Sequence, residues 1–218
     1  MASNFWSPVK LSIEIASIST ILVIVLGLFF GKVMANRKFK GKVLVDTLFL
    51  LPLVLPPTVV GFLLLIIFGR NSPVGHLMEW IFNQPVLFTW WAALIASTIV
   101  AFPLMYQSAR TGFEAVDSDI ENAARVDGAN AFRVLWYITL PLALKSIVSG
   151  AILSFARALG EFGATLMFAG NIPGKTQTIP TAIYVAIDSG NMDMAWLWVA
   201  SIIVISFLML TCVYFIRS

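Results

Sequence analysis

Arg157 and Glu161 stand four residues apart in the run Phe155-Ala156-Arg157-Ala158-Leu159-Gly160-Glu161-Phe162-Gly163-Ala164, inside an otherwise apolar stretch. On a helix that spacing puts a guanidinium and a carboxylate on one face, where each can neutralise the other, although arginine ahead of glutamate is the less favourable order. Ionisable groups set deep in apolar surroundings are expensive to keep and mark ion or substrate paths by default. Two roles are open: a place in a pathway or gate, or a purely structural pair. No other ionisable pair lies so deep in an apolar stretch, and the remaining reactive inventory is thin. His76 is the only histidine and Cys212 the only cysteine. A disulfide framework, a cysteine metal site and a nucleophile–base arrangement are therefore all out of reach. No catalytic residue, metal ligand or cofactor is expected. A Gly-x-x-x-x-Gly-Lys-Ser/Thr phosphate loop is also missing, so the chain is not expected to hydrolyse ATP.

The elements that carry these residues follow from composition. Of 218 residues, 59% are hydrophobic and 11% charged, against roughly 25% charged in a soluble domain. One water-soluble core of this size cannot hide that much apolar surface. Five segments, Leu11 to Met34, Val43 to Phe68, Val86 to Gln107, Leu142 to Gly170 and Met194 to Ile216, reach the roughly 20 residues a spanning helix needs. Two weaker stretches, 74–82 and 178–187, fall short and suit short helices at the outer surface or dipping into it. No cleavage site marks the first segment as a signal peptide. No repeat or long polar linker divides the chain, so residues 1–218 read as one all-α integral membrane domain.

Lysine and arginine near the segment ends set the orientation. Lys32, Arg37, Lys38, Lys40 and Lys42 crowd the first connection, and Arg110, Arg125, Arg133 and Lys145 accompany the third. The second carries only Arg70, the fourth only Lys175, and Arg217 ends the chain. This alternation fits five crossings, with the N-terminus outside and the C-terminus in the cytoplasm; a sixth would break it. Within the spans, Pro56-Pro57 should break or kink the second. Irregular backbone at that depth is tolerated when buried in protein or lining a watery cavity, and a plain packing kink is equally open. Pro103 reads as a kink, Gly27 and Gly31 as a close helix contact, Trp90-Trp91 as interface anchors and His76 as a solvated interfacial residue.

The connection from Ser108 to Pro141 is long and internally organised. Ser118-Asp119-Ile120-Glu121 fits a capping box, and Gly128 suits the left-handed position that ends a helix. A helix of about two and a half turns lies between them, with Ile120, Ala123 and Ala124 sharing a face. A second helix is expected from Ala131 to about Thr139, with Pro141 opening the next span.

Ala123-Ala124, Gly128, nine residues, Ile138, then Leu140-Pro141 resembles the signature loop of ABC importer permeases. The family's usual glutamate position is Asn122 here, with Glu121 one residue earlier. The resemblance implies a type I ABC importer permease (MetI-like) of about five transmembrane helices. Residues 118–141 would form the cytoplasmic coupling loop, in which Glu121, Ala123, Ala124, Gly128, Leu140 and Pro141 serve contact with an ATP-binding subunit. Three further stretches narrow it. Leu55-Pro56-Pro57-Thr58-Val59-Val60-Gly61, the Arg157–Glu161 run and Gly170-Asn171-Ile172-Pro173-Gly174-Lys175-Thr176-Gln177-Thr178-Ile179-Pro180 look like the molybdate permeases, with sulfate/thiosulfate permeases as nearest relatives. That implies a homodimer, a dimer of ATP-binding subunits, an extracytoplasmic oxyanion-binding protein and a home in the cytoplasmic membrane, with no nucleic acid partner. Pro57, Thr58, Arg157, Glu161 and Gly163 are then the candidates for the pathway or gate, Thr58 by offering a hydroxyl to the oxyanion. A sulfate, thiosulfate or tungstate permease is the alternative in the same class. An ion-driven secondary transporter would call for internal repeats and paired broken helices, and neither is expected.

Overall fold

A computed structural model describes the backbone of residues 2–217 and the side chains of 5–81 and 83–211. Every regular element among them is helical: α1 (Ala2–Met34), α2 (Lys42–Val54), α3 (Pro57–Phe68), α4 (Pro73–Phe82), α5 (Trp90–Glu114), α6 (Ser118–Val126), α7 (Ala131–Val134), α8 (Leu140–Leu159), α9 (Gly163–Phe168), α10 (Ile179–Asp188) and α11 (Met192–Arg217).

α5 is the hub. Its buried positions are mostly small, among them Ala92, Ala93, Ala96, Ala101, Ala109 and Gly112. Lipid gives spanning helices little hydrophobic reason to associate, so close backbone approach through small residues holds them together. Gly27 and Gly31 of α1 lie against this hub as expected. A Cβ on Gly31 would stand 2.9 Å from the Ala109 Cβ, and one on Gly27 would collide with Met105. The seam between α5 and α8 uses the same device reciprocally. Gly112 lies against Ser146, Gly150 lies against Ser108, and a Cβ on either glycine would come within 3 Å of the facing serine Cβ.

α10, which covers most of the weaker stretch 178–187, is built into the bundle. Ser12 Oγ on α1 accepts the Ile179 N–H at 2.7 Å. Ile179 and Ala182 pack with Val9 and Trp198, and the Trp198 indole N–H donates to the Phe5 carbonyl at 3.1 Å.

Four helices are long and apolar enough to cross a membrane, and a fifth crossing exists if α2 and α3 count as one span bent by 115°. Contacts at both ends support counting them so. Lys42, which opens α2, stands 3.9 Å from Glu114 at the end of α5. At the far end of α3, Phe68 packs on Phe168, whose carbonyl accepts the Phe88 N–H just ahead of the start of α5. The two halves thus reach towards opposite ends of α5.

Two sequence expectations need correcting. The segment from Leu142 to Gly170 is not one span: the helix stops at Leu159 and restarts as α9 at Gly163. Nor does Pro141 open a fresh helix. α7, a π-helical turn at Leu135–Thr139 and α8 form one continuous helix over Ala131–Leu159. Proline lacks an N–H and its ring crowds the carbonyl four residues back, and the wider π turn just before Pro141 accommodates that mismatch without ending the helix.

Candidate functional site

The two broken helices meet at their breaks. Leu55 and Pro56 are extended, with ψ of 142° and 135°, and Pro57 begins α3, where a missing N–H is no loss. Across from it, Gly163 begins α9. A Cβ there would lie 3.0 Å from the Pro57 Cβ and 3.2 Å from the Thr58 nitrogen. One turn on, a Cβ at Gly61 would lie 2.8 Å from the Ala164 Cα. α3 and α9 therefore pack backbone to backbone through two glycines. The expectation that no paired broken helices exist is overturned. Gly160 and Gly163 flanking Glu161 were the available signal, hidden by an unbroken hydropathy profile.

Glu161 holds this junction. Its side chain is 1% exposed, and Oε2 accepts from the Arg157 guanidinium at 2.7 Å. Its Oε1 accepts the Ala164 N–H at 2.7 Å. One carboxylate thus ties the last turn of α8 to the first turn of α9, with its charge matched and both oxygens engaged. Arg157 remains 29% exposed. Thr58 is exposed, and its hydroxyl has no hydrogen-bond partner among the described residues. Pro57, Thr58, Gly163, Glu161 and Arg157 therefore form one contiguous cluster. A partly exposed guanidinium in the same cluster as a free hydroxyl can engage an anion weakly and cannot enclose one.

A second ionisable cluster lies about one turn from the end of α5 and one turn into α2. Arg110 on α5 donates to Asp46 on α2 at 2.9 Å and to Glu114 at 2.8 Å, and the Tyr106 hydroxyl donates to Asp46. Above it, Phe49 packs edge-on against Phe102 and Tyr106. This cluster clamps α2 to α5 below the proline break. Arg110 reads from sequence as a loop cation because apolar residues end at Gln107, whereas α5 continues to Glu114.

At the same end of the bundle, α6 occupies the predicted short helix, and Gly128 after it has a φ of 88°. The capping box does not form. Asp117 is the N-cap, its carboxylate accepting the Asp119 N–H at 2.9 Å, and Ser118 is the first helical residue. Glu121 is freed for other work. Its Oε1 accepts from the Lys32 ammonium at 3.1 Å and from the Thr139 hydroxyl at 2.6 Å, while Oε2 pairs with Arg125 at 3.2 Å. Burial works against the charged carboxylate, but the Thr139 and Lys32 hydrogen bonds and the Lys32 and Arg125 charges prevail and hold its pKa below the ordinary glutamate value. Glu121 thereby links α6 to the end of α1 and to the π turn ahead of Pro141. The three partners lie 4, 18 and 89 residues away, so only Arg125 was readable from spacing. Away from this anchor, Ile120, Ala123 and Val126 of α6 are exposed, with Phe132 and Tyr137 exposed beyond them. Ala124 is half-buried, Leu140 is half-buried and Pro141 exposed. Among the described residues no group of three or more His, Cys, Asp or Glu side chains could hold a metal.

Residues 23–218 match the family described as the binding-protein-dependent transport system inner membrane component. YvgM of Bacillus subtilis (strain 168), whose name assigns it provisionally as a molybdenum transport system permease, is 63% identical over 209 residues, covering 96% of this chain and 92% of that protein. The molybdenum transport system permease protein ModB of Escherichia coli (strain K12) is 44% identical over 200 residues, covering 90% and 87%. Among solved structures, an inward-facing MetNI methionine ABC transporter superposes with a TM-score of 0.76 at 16% identity, covering 99% of this chain and 95% of that one. At that identity the likeness concerns the fold alone.

Proposed function

The chain belongs to the binding-protein-dependent transport system inner membrane components, all-helical permeases of the MetI-like ABC importer fold, and on that premise we propose that it passes molybdate into the cell. The observation that carries the substrate is the 63% and 44% identity to two permeases named for molybdenum transport, over nine-tenths or more of this chain. The double break supports a path for an anion. Irregular backbone, Thr58 and the Arg157–Glu161 pair share one cluster between helices read as spans, and irregular backbone at membrane depth persists only against protein or water. The site is sparse in donors, which suits passage over tight capture, with selection left to an extracytoplasmic binding protein.

ATP hydrolysis falls to a separate pair of subunits, and two copies of this chain flank one path. The exposed apolar face of α6 docks on the ATP-binding subunit. Reconstituted with that subunit and the oxyanion-binding protein, the complex should hydrolyse ATP faster when molybdate is added. Stimulation by sulfate with none by molybdate would transfer the assignment to the sulfate alternative.

The orientation proposed from the basic residues puts Lys38 in the cytoplasm and Lys175 outside. Cysteines placed singly at these positions, in a Cys212→Ala background, should react from opposite faces of sealed vesicles. Reaction from the same face would overturn the five-span topology.

A further inference from the structure

A cleft of about 500 Å³ opens between the halves of α5 and α8 that lie nearest α6. Six of the eight residues that line it are polar although both helices are spans. Gln107, Ser108 and Thr111 face it from α5, Lys145, Ser146 and Ser149 from α8, and two leucines, Leu104 and Leu153, line it farther from α6. No carboxylate lines it, and Lys145 has no ion-pair partner among the described residues.

The hydroxyls behave in a telling way. In a helix facing lipid, serine and threonine return their hydroxyl to the carbonyl four residues back. Thr20, Thr98, Ser201 and Thr211 of this chain do so. In the cleft only Ser149 does, at 2.9 Å. Ser108, Thr111, Ser146 and the Gln107 amide make no hydrogen bond among the described residues. A free amide, three free hydroxyls and an unpaired ammonium facing hydrocarbon would be a standing cost. Facing water and a passing anion, each is satisfied.

We infer that this cleft is a second, cytoplasmic-side subsite for the tetrahedral oxyanion, with Lys145 supplying the charge and the hydroxyls and amide supplying donors. The inference rests on the proposed function, which gives the chain an oxyanion to pass. The cleft is much larger than such an ion, so the ion sits there still partly hydrated and is held weakly. A conducting path needs sites an ion can leave. Lys145 and Arg157 lie twelve residues apart on one helix, about 18 Å along its axis, and on this inference they are successive stations for the ion.

The test uses the whole transporter, with its ATP-binding and binding proteins, in sealed vesicles. In a Cys212→Ala background, cysteines at Thr111 and Ser149 should react with a membrane-impermeant thiol reagent from the cytoplasmic side, and molybdate should slow the reaction during turnover. Lys145→Met should lower molybdate uptake about tenfold at matched abundance, the loss expected for a charged hydrogen bond. Lys145→Arg should retain uptake. Reaction with lipid-soluble reagents only, or normal uptake in Lys145→Met beside an active wild type, would overturn the subsite and leave the proposed function standing. If the wild type takes up sulfate instead, the substrate reading fails and the same labelling is judged with sulfate. Uptake of neither anion by the wild type overturns both.

Discussion

Arg157→Ala should cut uptake by at least an order of magnitude and lower the amount of protein in the membrane, because it leaves Glu161 as an unpaired carboxylate that is 1% exposed. Breaking a buried pair by deleting one partner costs about 3–5 kcal/mol, whereas replacing both partners together costs far less. The second bond of Glu161, from the Ala164 N–H, dictates which double variant is informative. Glutamine keeps an oxygen for that N–H and drops the charge, and methionine keeps much of the arginine stem. Arg157→Met with Glu161→Gln should therefore restore the protein's abundance. If Arg157 meets the passing anion, uptake stays low in this double variant despite normal assembly. Uptake that recovers together with abundance would make the pair structural and move the pathway elsewhere. Uptake at matched abundance decides it, and the outcome bears on the whole junction, since among the described residues Glu161 is the only charged side chain bonded to both α8 and α9.

How much of this was legible in the sequence depends on the range of each interaction. Four of the five apolar segments, the proline break and the short helix before Gly128 rest on local rules of hydropathy, proline chemistry and capping, and each lies close to where those rules put it, whereas the segment from Leu142 to Gly170 does not. The meeting of the two breaks was not legible. It depends on Gly61 meeting Ala164 and Gly163 meeting Pro57 and Thr58, residues more than 100 positions apart in the chain, and nothing local marks one as facing the other. The same holds for Asp46 and Arg110, whose pairing requires α5 to run past its apolar stretch. Glu121 shows a local rule losing to a tertiary one. Its spacing from Ser118 satisfies a capping box, yet Lys32 and Thr139 offer its carboxylate a cation and a hydroxyl in a partly buried place, while Asp117 can cap the helix instead. A cap contributes about 1 kcal/mol whichever residue supplies it, so the pairing with Lys32 and Thr139 decides.

That same geometry separates docking from anchoring in the proposed coupling loop, and the two predict different failures. Ala123 is exposed on the side of α6 away from Glu121, so a large side chain there meets only a partner. Ala123→Trp should leave insertion and abundance unchanged, abolish uptake and remove the stimulation of ATP hydrolysis by the binding protein. Ala124 is half-buried, and a bulky replacement there disturbs the fold as well as the surface, which makes it the poorer probe. Gly128 has open space around a would-be Cβ but a φ of 88°, so Gly128→Val is penalised by backbone conformation alone, by about 1–2 kcal/mol. That is enough to shift the end of α6 without unfolding the bundle, and coupling should weaken in proportion. Glu121→Gln acts from the other side. It keeps the docking face and loosens the hold on Lys32 and Thr139, so the ATP-binding subunit should still bind while each hydrolysis event moves less anion. The informative quantity is therefore the ratio of molybdate transported to ATP hydrolysed, measured beside co-purification of the ATP-binding subunit. Loss of co-purification in Ala123→Trp and retention of it in Glu121→Gln, with a lowered ratio, is the expected pattern. Normal uptake in Ala123→Trp would end the docking role of α6, and an unchanged ratio in Glu121→Gln would reduce its three contacts to packing.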